Sequence, residues 1–161
     1  MILVTVGTQI PFDRLAESVD EWVQSVNQVH QVRQIVAQVG KSKFKSDNMT
    51  VFQSVEPEQF EKYISQCNVL VSHAGMGSIL TALRVKKPII IFPRKASLNE
   101  HRNDHQLATS ESFANVEGVY VAKSKDELFD LLNRKDELVS GGLNDSDEYI
   151  RLINNLEKIL G

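Results

Sequence analysis

The stretch that decides the fold is residues 72–78, which read Ser-His-Ala-Gly-Met-Gly-Ser. Residues typical of a strand precede it at 68–71, and a run typical of a helix follows from Ile79 to Val85. A strand that turns through glycines into a helix directs unpaired backbone N–H groups, and the positive end of the helix dipole, towards one point. Such a point suits a phosphate group. A glycine pair at such a turn is also typical of a tight turn that binds nothing.

The side chains of this stretch fit a phosphate ligand. Gly75 and Gly77 let a ligand approach the backbone closely, and Ser78 adds a hydroxyl donor. His73 can add a donor or a positive charge. The other reading, a plain tight turn, has to be weighed against the rest of the chain.

Strands and helices alternate along the chain. Strands are predicted at 2–6, 34–39, 49–52, 69–71, 88–93 and 119–122. Helices are predicted to begin at Pro11 and Pro57 and to cover 79–85, 104–115, 125–133 and 147–160. The apolar run at 88–93 indicates a strand buried on both faces. This order predicts an α/β fold with a doubly wound parallel sheet, in a single domain over residues 1–161.

Ligands of such sheets bind beyond the carboxyl ends of the strands. The segments expected there are polar or small, and they comprise residues 7–9, 38–40, 53–55, 73–78 and 94–106. Five such segments at one edge predict a site of nucleotide size.

Composition narrows the class of protein. The net charge of -3 gives no support for nucleic-acid binding. The single cysteine, Cys67, excludes an internal disulfide and is expected to be a buried structural thiol. The chain contains no run of 18 apolar residues, so no membrane span is predicted. The apolar start of the chain is interpreted as a first strand and not as a signal peptide.

Several enzyme classes lack their motifs here. The first strand is followed by Gly-Thr-Gln-Ile-Pro-Phe, which is not the glycine pattern of dinucleotide-binding enzymes. A Walker A loop and a nucleophile elbow are also missing. His101 and His105 have the spacing of zinc ligands, but the glutamate of metalloproteases does not accompany them. We therefore expect no metal site and no cofactor.

Four segments together carry a family resemblance. They are residues 4–9, 72–78, 87–94 (Lys87-Pro88 and Pro93-Arg94) and 100–107. In this order they resemble the C-terminal domain of family 28 glycosyltransferases. The similarity is greatest to short single-domain members, such as the soluble subunit of two-part UDP-N-acetylglucosamine transferases and bacterial counterparts in exopolysaccharide synthesis. The resemblance covers residues 1 to about 122 and implies a Rossmann-like domain, the C-terminal half of a GT-B enzyme.

The resemblance also implies which residues bind a UDP-sugar. Gly7 and Thr8, with Gln9 beside them, would face the diphosphate. The turn of Gly75, Met76, Gly77 and Ser78 would hold it, with His73 close by. The backbone at Ser54 and Val55 would contact the base, and His105 and Gln106 the donor sugar. Many family members bind the ribose through a glutamate where this chain has Thr81, so Glu100 is the candidate substitute.

The implied function is the donor-binding half of a glycosyltransferase. A helix N-terminus stabilises the charge of a departing nucleoside diphosphate without a metal. The acceptor site and the catalytic base would lie on a membrane-anchored partner subunit, so the chain is expected in the cytoplasm, held at the inner face of the membrane by that partner. Two alternatives remain: a non-catalytic sugar-nucleotide-binding module, or a glycosyltransferase that acts alone as a homo-oligomer.

Ordinary structural roles compete with some of these assignments. Thr8 and Gln9 could cap the first helix, and Gln106 could lie on a helix surface. The lysines at 41, 43 and 45 are expected to form a solvated loop, with a membrane-facing patch as the second reading. The apolar stripe of the last helix, within residues 145–161, could pack on its own domain or dock a partner.

Overall fold

Six strands and five α-helices make up the part of the chain that the computed structural model describes, which is residues 1–8, 10–27 and 34–142 together with Asn154. The strands are β1 (Ile2–Thr5), β2 (Ile35–Gln38), β3 (Thr50–Phe52), β4 (Val69–His73), β5 (Ile89–Phe92) and β6 (Val119–Val121). The helices are α1 (Asp13–Val26), α2 (Pro57–Gln66), α3 (Met76–Arg84), α4 (His105–Phe113) and α5 (Lys125–Asn133). Two short 3-10 helices cover Ala96–Leu98 and Lys135–Glu137.

The strands form one parallel sheet in the order β3-β2-β1-β4-β5-β6. The order reverses between β1 and β4, where Ile2 pairs with Val69 and Thr5 with Ser72. Each half of the sheet is built from consecutive strands, and the two halves meet at this β1–β4 junction. The predicted doubly wound α/β architecture is confirmed.

Helices cover both faces of the sheet. On one face α1 and α5 bury apolar side chains such as Leu15 and Leu132 against Val4, Val71 and neighbouring strand residues. On the other face α2, α3 and α4 do so around Leu3 and Leu70. The strands β1, β2 and β5 are buried along their whole length, because each has helices on both sides. Cys67 is also buried, as its sequence context predicts.

Some predicted boundaries move. The first helix begins at Asp13 and not at Pro11, because Phe12 turns inward and stacks on Phe92 with ring centroids 5.9 Å apart. The third helix begins at Met76, three residues before the predicted Ile79. Gly77 and Ser78 therefore belong to the first helical turn.

The basic loop is fixed on one side and exposed on the other. Lys41, Lys43 and Lys45 are exposed, which agrees with the predicted solvated loop. Between them, Ser42 is buried and its hydroxyl donates a hydrogen bond to Asp13, while Phe44 packs against the core.

The chain after α5 crosses the edge strand β6. The hydroxyl of Tyr120 accepts a hydrogen bond from the backbone N–H of Val139 at 2.9 Å. Gly118 and Gly141 then meet backbone to backbone, since a Cβ on Gly118 would lie 2.1 Å from the backbone nitrogen of Gly141. The predicted last helix at 147–160 lies outside the described residues apart from Asn154. Among the described helices none is long and apolar enough to cross a membrane.

Candidate functional site

The loops at the carboxyl end of the β1–β4 junction form the candidate site. The chain leaves β1 through Val6, Gly7 and Thr8, and it leaves β4 through Ala74 and Gly75 into α3. The reversal of strand order separates these two loops and opens a crevice, which is where open α/β sheets bind ligands. The sequence-based expectation placed residues 7–9 and 73–78 in one site, and the strand order brings the described ones among them together.

The ring of His73 lies between two glycines at the centre of this crevice. A Cβ on Gly7 would lie 3.2 Å from its Cε1 atom, and a Cβ on Gly75 would lie 2.2 Å from its Nε2 atom. Gly7 also has a φ of +81°, a conformation that favours glycine. Gly75 therefore makes room for the imidazole, whereas the sequence suggested only that it makes room for a ligand.

The surroundings of His73 favour its neutral form. Burial lowers the pKa of His73 to about 4, and the nearby charge of Arg94 acts in the same direction. A hydrogen bond with the Thr5 backbone raises the pKa of His73, while His101 makes a small contribution that lowers it. The Ser72 hydroxyl lies 3.2 Å from Nδ1. At neutral pH the site consequently contains an uncharged imidazole beside a buried guanidinium.

The lowered pKa of His73 predicts a loss of stability in acid. The unfolded chain binds a proton near the ordinary pKa of 6.5, while the folded chain resists it down to about 4. Stability is therefore lost as the pH falls through this window, by about 2 kcal/mol between pH 7 and pH 5. Urea unfolding of the wild type and of His73→Gln at both pH values measures this difference. An identical pH dependence in the two proteins would contradict the assigned environment of His73.

The first turn of α3 presents free backbone donors. Gly75 caps the helix, and the first intrahelical bond runs from the Ile79 N–H to the Gly75 carbonyl at 3.2 Å. The N–H groups of Met76, Gly77 and Ser78 thus have no partner within the helix. A Cβ on Gly77 would meet no described atom within 4 Å, so the space beside Gly77 is open. This is the geometry of an anion site at a helix N-terminus.

Gln106 joins the two loops that flank this turn. Its side-chain oxygen accepts hydrogen bonds from the backbone N–H of Ala74 at 3.2 Å and of Arg94 at 3.0 Å. The side chain is buried, so the reading of Gln106 as a helix-surface residue is wrong. Because two donors fix the orientation of the amide oxygen, the NH2 group remains as a donor for a ligand.

Arg94 begins one of the segments predicted at this edge of the sheet, but the sequence analysis assigned it no role, and the structure shows that it is buried. Its guanidinium donates to the carbonyl oxygens of Val6 and Ile10, which lie on either side of Gly7 and Thr8. It also lies over the Phe12 ring, 5.0 Å from the centroid. A buried arginine cannot be recognised from one sequence, since most arginines are exposed.

Glu100 makes contacts of its own within the protein. The Arg14 guanidinium donates two hydrogen bonds to its carboxylate, at 2.8 and 2.9 Å, and the Lys95 backbone N–H donates a third. Arg14 also donates to the Pro93 carbonyl and lies over the Phe92 ring. These bonds fold the loop after β5 back on α1 and engage both carboxylate oxygens of Glu100, whose ribose role stays a prediction.

A separate cavity of about 260 Å³ opens beside the loop after β1. It is lined by residues from the ends of β1, β2 and β3 and the start of α2, namely Thr5, Gly7, Thr8, Gln38, Ser54, Val55, Pro57 and Phe60. Gln38 holds these loops in place: its amide donates to the Gln53 carbonyl at 2.8 Å and accepts from the Thr5 hydroxyl. Ser54 and Val55, predicted to contact the base, therefore share a cavity with Gly7 and Thr8. Phe60 and Gln38 line it as well.

The other predicted site residues are placed as follows. Thr8 is exposed and does not cap α1, whose N-cap Phe12 makes no side-chain bond. His105 is exposed at the first residue of α4, and Met76 and Ser78 are partly exposed on α3. Thr81 bonds the Gly77 carbonyl within its own helix. Gln9 lies outside the described residues.

The described part of the chain has no group of three or more His, Cys, Asp or Glu side chains suited to a metal ion.

The fold and this site define a family of sugar-transferring enzymes: the chain belongs to the family described as the glycosyltransferase family 28 C-terminal domain, whose model matches residues 1–147. A curated relative is the UDP-N-acetylglucosamine transferase subunit ALG13 of Candida albicans, 25% identical over 117 residues, which are 73% of this chain and 35% of the relative. The chain spans about a third of the length of the curated relatives that it matches.

Solved structures agree on the fold. The NMR solution structure of ALG13 superposes with a TM-score of 0.68 at 21% identity, covering 99% of this chain and 96% of that one. The crystal structure of the kitacinnamycin glycotransferase superposes with a TM-score of 0.58 at 19% identity, covering 98% of this chain but 38% of that one. The Rossmann-like GT-B fold predicted from the sequence is therefore confirmed.

Proposed function

We propose that this chain binds a UDP-sugar at the β1–β4 junction as the donor-binding part of a glycosyltransferase. The sugar would be N-acetylglucosamine or another hexose, moved to a lipid-linked acceptor in polysaccharide or glycan synthesis. The observation that carries the proposal is the first turn of α3, with three N–H groups that bond no described residue, open space at Gly77 and His73 beside it. The membership of the chain in family 28 supports the choice of chemistry.

The same turn suits the transition state of glycosyl transfer. The nucleoside diphosphate gains negative charge as the glycosidic bond breaks, and preorganised amides at a helix N-terminus stabilise that charge. The diphosphate would also raise the pKa of His73, because a nearby negative charge favours the protonated imidazole. His73 would then strengthen the binding of the leaving group without acting as the base.

The remaining parts of the donor fit the neighbouring features. The base would occupy the cavity of about 260 Å³, against Phe60 and the backbone of Ser54 and Val55. The free NH2 group of Gln106 would donate to a sugar hydroxyl, with His105 on the same first turn of α4. Gln9 would complete the loop that faces the diphosphate.

The acceptor half of the reaction is assigned to a second subunit. In the kitacinnamycin glycotransferase the matched fold makes up 38% of the chain. The curated relative is itself called a transferase subunit. We propose that a membrane-anchored partner supplies the acceptor site and the catalytic base, and that it holds this chain at the cytoplasmic face of the membrane. The alternative is a homo-oligomer in which two copies of this chain form the cleft between donor and acceptor sites. An assay of sugar transfer by the purified chain tests it.

Binding of UDP tests the donor site directly. Ser78→Ala removes one hydrogen bond to a charged phosphate, which is worth about 1.5–3 kcal/mol, so the UDP affinity should fall roughly ten- to a hundredfold. Calorimetry with UDP and with UDP-N-acetylglucosamine, each with and without a chelator, measures this, and the wild-type affinity should not depend on the chelator.

Ser65→Ala is the matched control for this variant. Ser65 is an exposed serine on α2 whose hydroxyl bonds, among the described residues, only the Lys62 carbonyl, so its loss should leave the UDP affinity unchanged. A folded Ser78→Ala protein that binds UDP as tightly as the wild type would show that the α3 turn does not hold the diphosphate.

A further inference from the structure

Arg94 makes an unusual set of contacts for a buried cation. The residue is 5% exposed and follows β5 after one intervening residue, Pro93. One guanidinium nitrogen, Nη2, donates to the carbonyl oxygen of Val6 at 2.6 Å and to that of Ile10 at 2.5 Å. The two hydrogens of a single NH2 group therefore hold both ends of the loop that contains Gly7 and Thr8.

Burial of this charge has a cost that only specific contacts offset. The Phe12 ring lies 5.0 Å from the guanidinium carbon, and the Glu100 carboxylate opposes the lowering of the Arg94 pKa that burial causes. The Nε atom is nevertheless buried without a hydrogen-bond partner among the described residues. A site that keeps an arginine under these conditions uses its fixed, planar donors, which a lysine or an apolar residue cannot reproduce.

The backbone of Arg94 connects the same residue to the other side of the crevice. Its N–H shares the Gln106 side-chain oxygen with the N–H of Ala74, the residue that precedes the N-cap of α3. Arg94 is thus bonded to the loop after β1 through its side chain and, through Gln106, to the turn after β4. These are the two loops that border the space in front of α3.

We propose that Arg94 is a positioning residue for the donor site, which holds the loop after β1 in the shape that places Gly7 and Thr8 opposite the first turn of α3. The proposal rests on the proposed function for the identity of the ligand. The arrangement of the loop itself is a property of the ligand-free protein and is measured without it.

Two variants separate the contacts of Arg94 from its charge. Arg94→Met fills a similar space with an apolar chain and removes both carbonyl contacts and the charge. Arg94→Lys keeps the charge but replaces the planar guanidinium with a compact ammonium group, whose donors point in different directions. Ser124→Ala is the control for a general loss of stability, because it removes the side-chain cap of α5, which follows β6, two strands from the junction.

Three measurements report on these variants. Amide hydrogen exchange of residues 6–12 reports on the loop, calorimetry with UDP reports on the site, and an NMR titration of His73 reports on the charge of Arg94. In Arg94→Met we expect exchange at least fivefold faster in the loop, a UDP affinity at least tenfold weaker, and a His73 pKa that rises above about 4 but stays lowered, because burial, its larger cause, remains. In Arg94→Lys the His73 pKa should stay low, while the loop exchange and the UDP affinity change in the same direction by smaller factors.

The outcomes are distinct for each claim. Unchanged loop exchange in a folded Arg94→Met protein would overturn the positioning role, as would a change of the same size in Ser124→Ala. If Arg94→Met does not fold, Arg94→Lys decides by the same loop exchange. A wild-type chain that does not bind UDP would overturn the proposed function instead, while the loop exchange and the His73 titration still decide the role of Arg94.

Discussion

Replacing Gly75 by alanine is expected to weaken UDP binding at least a hundredfold, which corresponds to about 2.7 kcal/mol. The new methyl group would lie 2.2 Å from Nε2 of His73, a distance that no pair of unbonded heavy atoms tolerates. The imidazole must move out of its place between Gly7 and Gly75, or the first turn of α3 must shift. Either movement disrupts the place where the diphosphate is proposed to bind. Calorimetry with UDP measures the loss, and circular dichroism confirms that the variant is folded.

Two other glycines are compared with Gly75: Gly142 is the control, and Gly77 is a second glycine at the proposed site. Gly142→Ala adds a methyl group at an exposed glycine whose new Cβ would contact no described atom within 4 Å, and it should leave the affinity unchanged. Gly77→Ala also meets open space in the ligand-free protein, so the helix should gain roughly 0.5–1 kcal/mol of stability. The same methyl would occupy space that the ligand needs, so Gly77→Ala should be more stable and yet bind UDP more weakly. Equal UDP affinity in all three variants and the wild type would show that the ligand lies elsewhere.

The second large effect concerns transfer activity, which we expect to be undetectable for the purified chain alone. A donor domain can bind UDP-N-acetylglucosamine, but the proposed acceptor site and base lie on another subunit. The assay follows labelled sugar from UDP-N-acetylglucosamine into lipid. It compares the purified chain mixed with a protein-free lipid extract and the same chain mixed with membranes from cells that lack its gene. The membranes supply both acceptor lipid and partner, so only the second mixture should form product.

The contrast with lipid alone makes this experiment decisive. Equal rates in the two mixtures would contradict the two-subunit proposal and favour a chain that acts by itself or as a homo-oligomer. A salt wash that strips peripheral proteins from the membranes should not remove the activity, because the partner is proposed to be membrane-anchored. The apolar positions Ile153 and Leu156 of the predicted last helix lie outside the described residues, and their role in docking stays a prediction.

The sequence predicted the fold well because local and long-range signals agree. The apolar runs of β4 and β5 and the glycine turn between β4 and α3 each favour one structure, and alternation of strands and helices leaves few topologies. The sequence also allowed the residues that follow the strands to be grouped into one candidate site, because parallel strands place their carboxyl ends at one edge of the sheet.

The side-chain partners at the site could not be predicted in this way. Gln106 was expected either to contact a sugar or to lie on the surface, and neither expectation included the bonds of its side-chain oxygen to two backbone groups that are 12 and 32 residues away. The bonds of Glu100 to Arg14 span 86 residues, so no spacing rule identifies the pair. The close fit of the His73 ring against Gly75 depends on the direction of one side chain, which sequence patterns do not encode.

The β1–β4 junction has a consequence for the lifetime of the protein. Residues 2–52 and 69–121 supply separate halves of the sheet, and among the described strands the two halves pair with each other only through β1 and β4. A nucleotide bound across that junction contacts both halves, so it resists their separation; at a hundredfold excess over Kd it adds about 2.7 kcal/mol to the cost of opening. Cleavage of a transiently opened chain follows the population of the open form. On the proposed function, a chain without bound nucleotide sugar would therefore open more often, and be cleaved faster, than a chain that holds it.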